Sequence, residues 1–330
     1  MVRVLAVREI AAVTGERSAN RTAQRFGIHG TDLGILWDNG AGEILVAFGD
    51  TYGRGWGGDG AGPADADWRY NVLAVSSNRD LESGLVLDSV VSRKDGTAAR
   101  ILGPDPDLSV EATVIPNSGI AVGGYNYLHY MSVRRWGAPG GWHTNYGGIA
   151  VSSDGGRTWS KPREARWLNS AGWDHPFQIC AFVRRGAHVY LMGTTNGRFG
   201  PAHLARAKPH DVLDARAYQY WTGDGWHAGD PYRAAPVLTG PVGELSVAHN
   251  DHFGQWFALH LDEYRAAIVL RRAAELTGPW SEGEVVVSGS DYPALYGGYL
   301  HPWACGGARV YFTMSQWGPY NVTLMRADLA

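Results

Sequence analysis

The stretch GTDLGILWDNGAGEILVAFGDTYG, residues 30–53, decides how the chain is read. It reads as two short strands, Thr31–Trp37 and Glu43–Phe48, joined by a tight turn at Asn39-Gly40. In an antiparallel pair the start of the first strand lies beside the end of the second. Asp32 and Asp50 are therefore expected at one end of this hairpin, close in space and set among apolar or small residues. Two carboxylates in a poorly solvated place push each other's pKa apart, which suits acid/base work on a sugar bond. Singly, either aspartate is explained by turn chemistry; the pairing is what points to catalysis.

The same unit recurs along the chain. Each copy has an apolar strand, a turn, a second apolar strand and a third that ends before a polar turn. The third strands are NVLAVSSNRDL (71–81), GGIAVSSDGGRTW (147–159), AHLARAKPHDVLD (202–214), AIVLRRAAELTGPW (267–280) and NVTLMRADL (321–329). Five units of this size predict an all-β, single-domain, five-bladed β-propeller. The blades fall at about 26–95, 108–165, 174–225, 240–285 and 292–330, and the strand-like segment 2–13 is placed to close the ring. Helical periodicity is weak; residues 208–217 have room for a turn or two. Ser152, Asp154, Gly156, Thr158 and Trp159 form one Asp-box, in which the aspartate caps a hairpin turn and the Trp packs between blades.

Composition supports this reading. The chain has 330 residues with 45 Gly and 14 Trp, and is 45% hydrophobic. Gly-rich turns with aromatic strands favour an all-β protein. Aromatic rings also stack on the C–H faces of sugars, although most here are expected to fill the core. Net charge is −3 with both signs scattered, which argues against a nucleic-acid partner. No apolar run reaches membrane-spanning length, so no membrane insertion is expected. Cys180 and Cys305 read as buried free thiols. The N-terminal MVRVLAVREIAAVTGERS is a poor signal peptide. Action outside the cell or on a cell wall would then need another route: a trimmed leader, or release by lysis as for a phage protein.

In a propeller the N-terminal ends of the inner strands converge on one mouth. Matching positions are Asp32, Glu111, Gln178, Glu244 and a residue near His301. The second strands end at the same mouth and add Asp50 and Gln316, with Asn71 nearby. The adjoining loops bring Trp56, Trp136, Asp174, Arg198 and Trp317. The expected site is an acidic, aromatic-lined pocket. Asp32, Asp50, Glu111 and Glu244 are its candidate catalytic groups and the remainder its substrate-binding groups. A sialidase would need three arginines, and the acids dominate here. His129, His143, His249 and His301 do not recur at zinc-ligand spacing. No cofactor is required, though an acidic channel leaves room for calcium or another ion. No phosphate loop or GxSxG elbow is present.

Segments spread over nearly the whole chain carry a resemblance. They include GTDLGILWD, FGDTYG, WRYNVLAVSS, EATVIPNSGIAVGG, YLHYMSVRRWG, GRFGPAHLAR, PVGELSV, YPALYGGYLHPW and SQWGPYNV. Together they resemble the actinobacterial family long catalogued as a domain of unknown function and later assigned as endo-D-arabinanases. The resemblance implies a five-bladed propeller that cleaves internal α-D-arabinofuranosyl bonds of arabinogalactan and lipoarabinomannan. It implies catalysis by Asp32 and Asp50, with Glu111 and Glu244 as further carboxylates. Five-bladed L-arabinanases, with an Asp base on blade 1 and a Glu acid on another blade, are similar at the level of fold. The partner expected for such an enzyme is the polysaccharide D-arabinan, and the chain is expected to act on it as a monomer. Two other readings stay open: a glycan-binding propeller that does not cut, such as a cell-wall or phage adhesin, and a glycosidase of other specificity, L-arabinanase-like.

Overall fold

The computed structural model describes residues 2–330. Five antiparallel sheets stand around a central channel. Their inner strands are Leu33–Asp38, Thr113–Val122, Ile179–Arg185, Leu245–Asn250 and Leu295–Leu300. Each packs against the next in that order and the fifth returns to the first, so the ring is a five-bladed propeller. Blade 3 runs past the expected limit at 225, adding a hairpin of Gln219–Trp221 and Trp226–Ala228. The segment 208–217 holds two short 3₁₀ turns, Pro209–Asp211 and Ala215–Ala217. One α-helical turn, Thr22–Phe26, had no sequence signal.

Val4–Ala12 pairs antiparallel with Asn321–Leu329 and becomes the outer strand of blade 5. Without it, that blade would present an unpaired row of backbone N–H and C=O groups. The first hairpin forms as its sequence dictates, with strands slightly shorter than expected, at Leu33–Asp38 and Ile44–Phe48. Asn39 shapes its turn: the side-chain oxygen accepts the backbone N–H of Ala41 and of Glu43. Gly40 and Gly42 take the left-handed backbone the turn requires.

The core is a set of seams between blades. Trp37 reaches from blade 1 onto blade 2, where its indole N–H donates to Asn126 Oδ1 at 3.0 Å. It lies so close over Gly119 that a Cβ there would sit 2.2 Å from the ring. Trp159 of the Asp-box meets Trp37 edge-on at 6.4 Å. Asp154 accepts the Thr158 N–H at 2.9 Å and the Thr158 hydroxyl at 2.7 Å, and these bonds hold its carboxyl down at about 2. Cys180 and Cys305 are buried and unbridged.

Trp37 therefore closes the seam between the first two blades. Trp37→Ala should cost about 3–5 kcal/mol, read as a lower urea midpoint at unchanged slope; a shift under ~1 kcal/mol would show that the seam depends little on the indole.

Candidate active site

The mouth at the N-terminal ends of the inner strands opens into a cavity of about 450 Å³. Asp32, Asp50 and Glu244 line it together with Arg198, Tyr296 and Tyr320. Its walls are aromatic, with Tyr52, Trp68, Trp136, Trp142 and Trp317 among them. The loop after the first hairpin roofs one side through Ala61, Gly62 and Ala64.

Local backbone irregularity aims the side chains. Leu33 and Gly34 both have positive φ, and the pairing with the second strand slips between Leu33 and Ile35. A bulge of this kind turns a side chain out of the strand's alternation; here it follows directly on Asp32. The inner strand of blade 5 slips likewise between Tyr296 and Tyr299, with Gly297 at φ +70°. Asn117 stands at a third slip, in blade 2. Three inner strands thus break register where they border the cavity.

Asp32 Oδ2 accepts the Tyr296 hydroxyl at 2.9 Å. Its Oδ1 is buried without a partner and rests on the backbone of Gly49, where a Cβ would stand 2.3 Å away. Only glycine at 49 leaves room for the carboxyl. Asp50 is 7% exposed, and its Oδ1 accepts both Thr113 Oγ1 at 2.7 Å and Trp68 Nε1 at 2.8 Å. Burial raises both carboxyls. Asp32 is pushed up to about 8 by desolvation, reinforced by the charges of Asp50 and Glu244. Asp50 is pushed up to about 7 by desolvation, against the pull of its two hydrogen bonds. The pair titrates as a unit and holds about one proton near neutrality. Burial and hydrogen bonding favour placing it on Asp32.

Glu244 is held differently. Its Oε1 accepts Arg198 Nε at 3.0 Å and Nη2 at 2.8 Å, while Oε2 is buried without a partner. Arg198 also bonds Glu263 at 3.4 Å, so two carboxylates offset its charge.

Other expected site residues lie elsewhere. Glu111 is not in the cavity wall: it accepts the Asp105 N–H at 2.8 Å and the Ser132 hydroxyl, bracing a loop of blade 2. Gln178 is fully buried, bonded to Thr144 and the Trp167 carbonyl. Asn71 is fully buried between the Leu102 and Val114 carbonyls, tying blade 1 to blade 2. Asp174 takes the Ser170 hydroxyl in an exposed loop. Trp56 and Gln316 line a separate 380 Å³ cavity on the flank. His301 follows the inner strand of blade 5 instead of preceding it, and so lies toward the opposite mouth; the matching mouth position is near Tyr296. Among the described residues no group of three or more His, Cys, Asp or Glu is arranged to hold a metal. Sequence reasoning missed Tyr296, Trp68 and Thr113. The paired glycines of YGGY, which mark the bulge, were the available signal for the first.

Comparison with known proteins agrees with this architecture. The family described as "Domain of unknown function (DUF4185)" matches residues 17–326. Notoamide biosynthesis cluster protein J of Aspergillus sp. (strain MF297-2) is 33% identical over 312 residues, 90% of this chain and 82% of that protein. Its counterpart J' of Aspergillus versicolor is 33% identical over 310 residues, 90% and 83% of the two chains. Among solved structures, a putative hydrolase of Bacteroides ovatus superposes with a TM-score of 0.64 at 12% identity, covering 93% of this chain and 87% of that one. An α-L-arabinofuranosidase of Podospora anserina gives 0.53 at 9% identity, covering 99% and 97%. A family 117 glycoside hydrolase of Zobellia galactanivorans gives 0.54 at 11%, covering 100% and 90%. At these identities the structural likeness shows a shared fold.

The raised carboxyls have a stability consequence. An aspartate whose folded pKa exceeds its ordinary 3.8 keeps a proton that the unfolded chain has released. Stability is then lost as pH rises from about 4 to about 8. Asp32→Asn removes that loss, so its melting temperature should exceed that of the wild type by a few degrees at about pH 8 and by less at about pH 5. Equal melting curves at both pH values would show that Asp32 ionises freely in the folded protein.

Proposed function

The chain belongs to the DUF4185 family, and on that premise we propose that it is a glycoside hydrolase, an endo-D-arabinanase cleaving internal α-D-arabinofuranosyl linkages of arabinogalactan and lipoarabinomannan. The observation that carries the reading is the pair Asp32 and Asp50, two buried carboxyls raised into the neutral range inside an aromatic pocket. The resemblance of segments along the chain to endo-D-arabinanases supplies the substrate. The likeness to solved arabinofuranosidase and family 117 structures supplies a fold compatible with the chemistry. The polymer is part of a cell wall, so the place of action is there, and the protein works as a monomer.

Asp32 is the acid. Protonated on the Oδ1 that lacks a protein partner, it gives that proton to the glycosidic oxygen as the bond from the anomeric carbon to that oxygen breaks. Asp50, its Oδ1 fixed by Thr113 and Trp68, presents a carboxylate to the anomeric carbon. The positive charge that develops on the sugar ring is stabilised by Asp50 and by Glu244. Water completes the reaction, adding hydroxide to the anomeric carbon and returning a proton to the pair. The anomer formed first, read by proton NMR, tells direct attack by water from passage through an Asp50 ester.

The test is digestion of purified arabinogalactan with the products resolved by size. Wild type should release a ladder of oligosaccharides, while Asp32→Asn and Asp50→Asn should each lose about 10²–10⁴-fold in rate. The names of two relatives speak of a biosynthesis cluster, so release of reducing ends from D-arabinan is the deciding observation. Tight binding without release would favour a non-cutting glycan-binding propeller, and release from L-arabinan alone a different specificity. The rate should also trace a bell against pH. It falls below about 7 as Asp50 gains a proton and above about 8 as Asp32 loses one. An optimum near pH 5 would remove this assignment of roles.

A further inference from the structure

A second cavity, of about 550 Å³, adjoins the reaction pocket. The two share Trp136, Trp142, Arg198, Tyr296 and Trp317, so they form one continuous cleft. The second basin extends from the loop Gly137–Gly141 to Leu261, Glu263 and Ala266 of blade 4 and Ala294 of blade 5. We propose that this second basin is a binding site for further neutral sugar residues of the same polysaccharide, and that it sets the enzyme's preference for the interior of long chains. The proposal rests on the hydrolase reading above and adds a substrate-positioning site to it.

Three observations carry it. The first is aromatic exposure. Trp136 is 52% and Trp317 51% exposed where the basins join. Trp136 stands edge-on against Trp142 at 5.8 Å and Trp317 against Tyr320 at 5.6 Å, so both indoles are braced and still open to solvent. Phe199 and Tyr264, 44% and 75% exposed, pair at 5.7 Å; Phe199 lies near Gly140 of the basin's loop. Large rings left in water beside a cavity are suited to the C–H faces of sugars.

The second is charge. Arg198 sits between the basins with Glu244 on one side and Glu263 on the other, so the junction offers donors and acceptors without a free positive charge. Such a floor accepts hydroxyls and rejects uronates and phosphorylated sugars, whose negative charge would meet two carboxylates. The third is backbone strain. Of the six non-glycine residues at positive φ among the described residues, Leu33 and Tyr320 border the first basin and Ala266 and Ala294 the second. Strain of this kind collects at functional sites, and here it is shared by both basins.

The test uses Asp32→Asn as a non-cutting background and α-linked D-arabinofuranose oligosaccharides of increasing length as probes, with affinities read by calorimetry. Affinity should rise at least tenfold as the chain outgrows the first basin and then level off. Ala138→Trp, at an exposed position in the loop bordering the second basin, should remove that rise while keeping the parent's melting temperature. Tyr264→Ala should reduce it. Affinity independent of length, or a rise that survives Ala138→Trp, would overturn the second basin and leave the hydrolase reading standing. Failure to bind at any length would remove the D-arabinan substrate and this proposal with it.

Discussion

Two carboxyl groups meet where they are costly to charge. Asp32 and Asp50 lie at one end of the first hairpin, under aromatic walls, with one tyrosine hydroxyl on the first and a threonine and a tryptophan on the second. Water would solvate both charges; this pocket solvates about one. The rest of the mouth maintains that imbalance. Bulges in three inner strands turn side chains toward the channel, and Gly49 leaves space for the Asp32 carboxyl. Arg198 engages Glu244 and Glu263 and so supplies no free cation to the aspartates.

The propeller makes this arrangement durable. Each blade buries its faces against its neighbours, and Val4–Ala12 pairs with Asn321–Leu329, so the first strand of the chain locks the last into blade 5. A ring of packed sheets resists the relaxation that would let water into the mouth. Residues 264 positions apart, Tyr296 and Asp32, can then hold one hydrogen bond as a fixed part of the site. The strained positions at Leu33, Ala294 and Tyr320 persist for the same reason, since the surrounding sheet over-determines them.

Much of this was legible in the chain. The first hairpin, the five third strands, the Asp-box and the two buried thiols stand where local patterns place them, because each depends on alternation of apolar residues or on turn chemistry. The two aspartates were legible because hairpin geometry alone brings them together. Glu111 and Glu244 were not distinguishable. Both precede an inner strand, but Glu111 turns to a blade 2 loop and Glu244 faces the cavity. Asn71 and Gln178 looked like site residues because polar groups beside apolar strands are conspicuous. Their partners are backbone carbonyls and N–H groups and one hydroxyl of neighbouring elements, which no local pattern displays. His301 was displaced by register: the inner strand of blade 5 begins at Leu295, so the histidine falls at its far end.

By itself the sequence determined the class of fold, the number of blades, the hairpin that carries both aspartates and the aromatic character of the mouth. These follow from short-range periodicity and composition, which act within a few residues of one another. Only the tertiary structure decided which acids share the pocket, that Tyr296 and Trp68 bond to them, that Arg198 lies between two glutamates, and that the cleft continues into a second basin. Those facts depend on how far each inner strand slips and on which blades meet when the ring closes. The geometry is set by packing among residues hundreds of positions apart, beyond the reach of any local pattern.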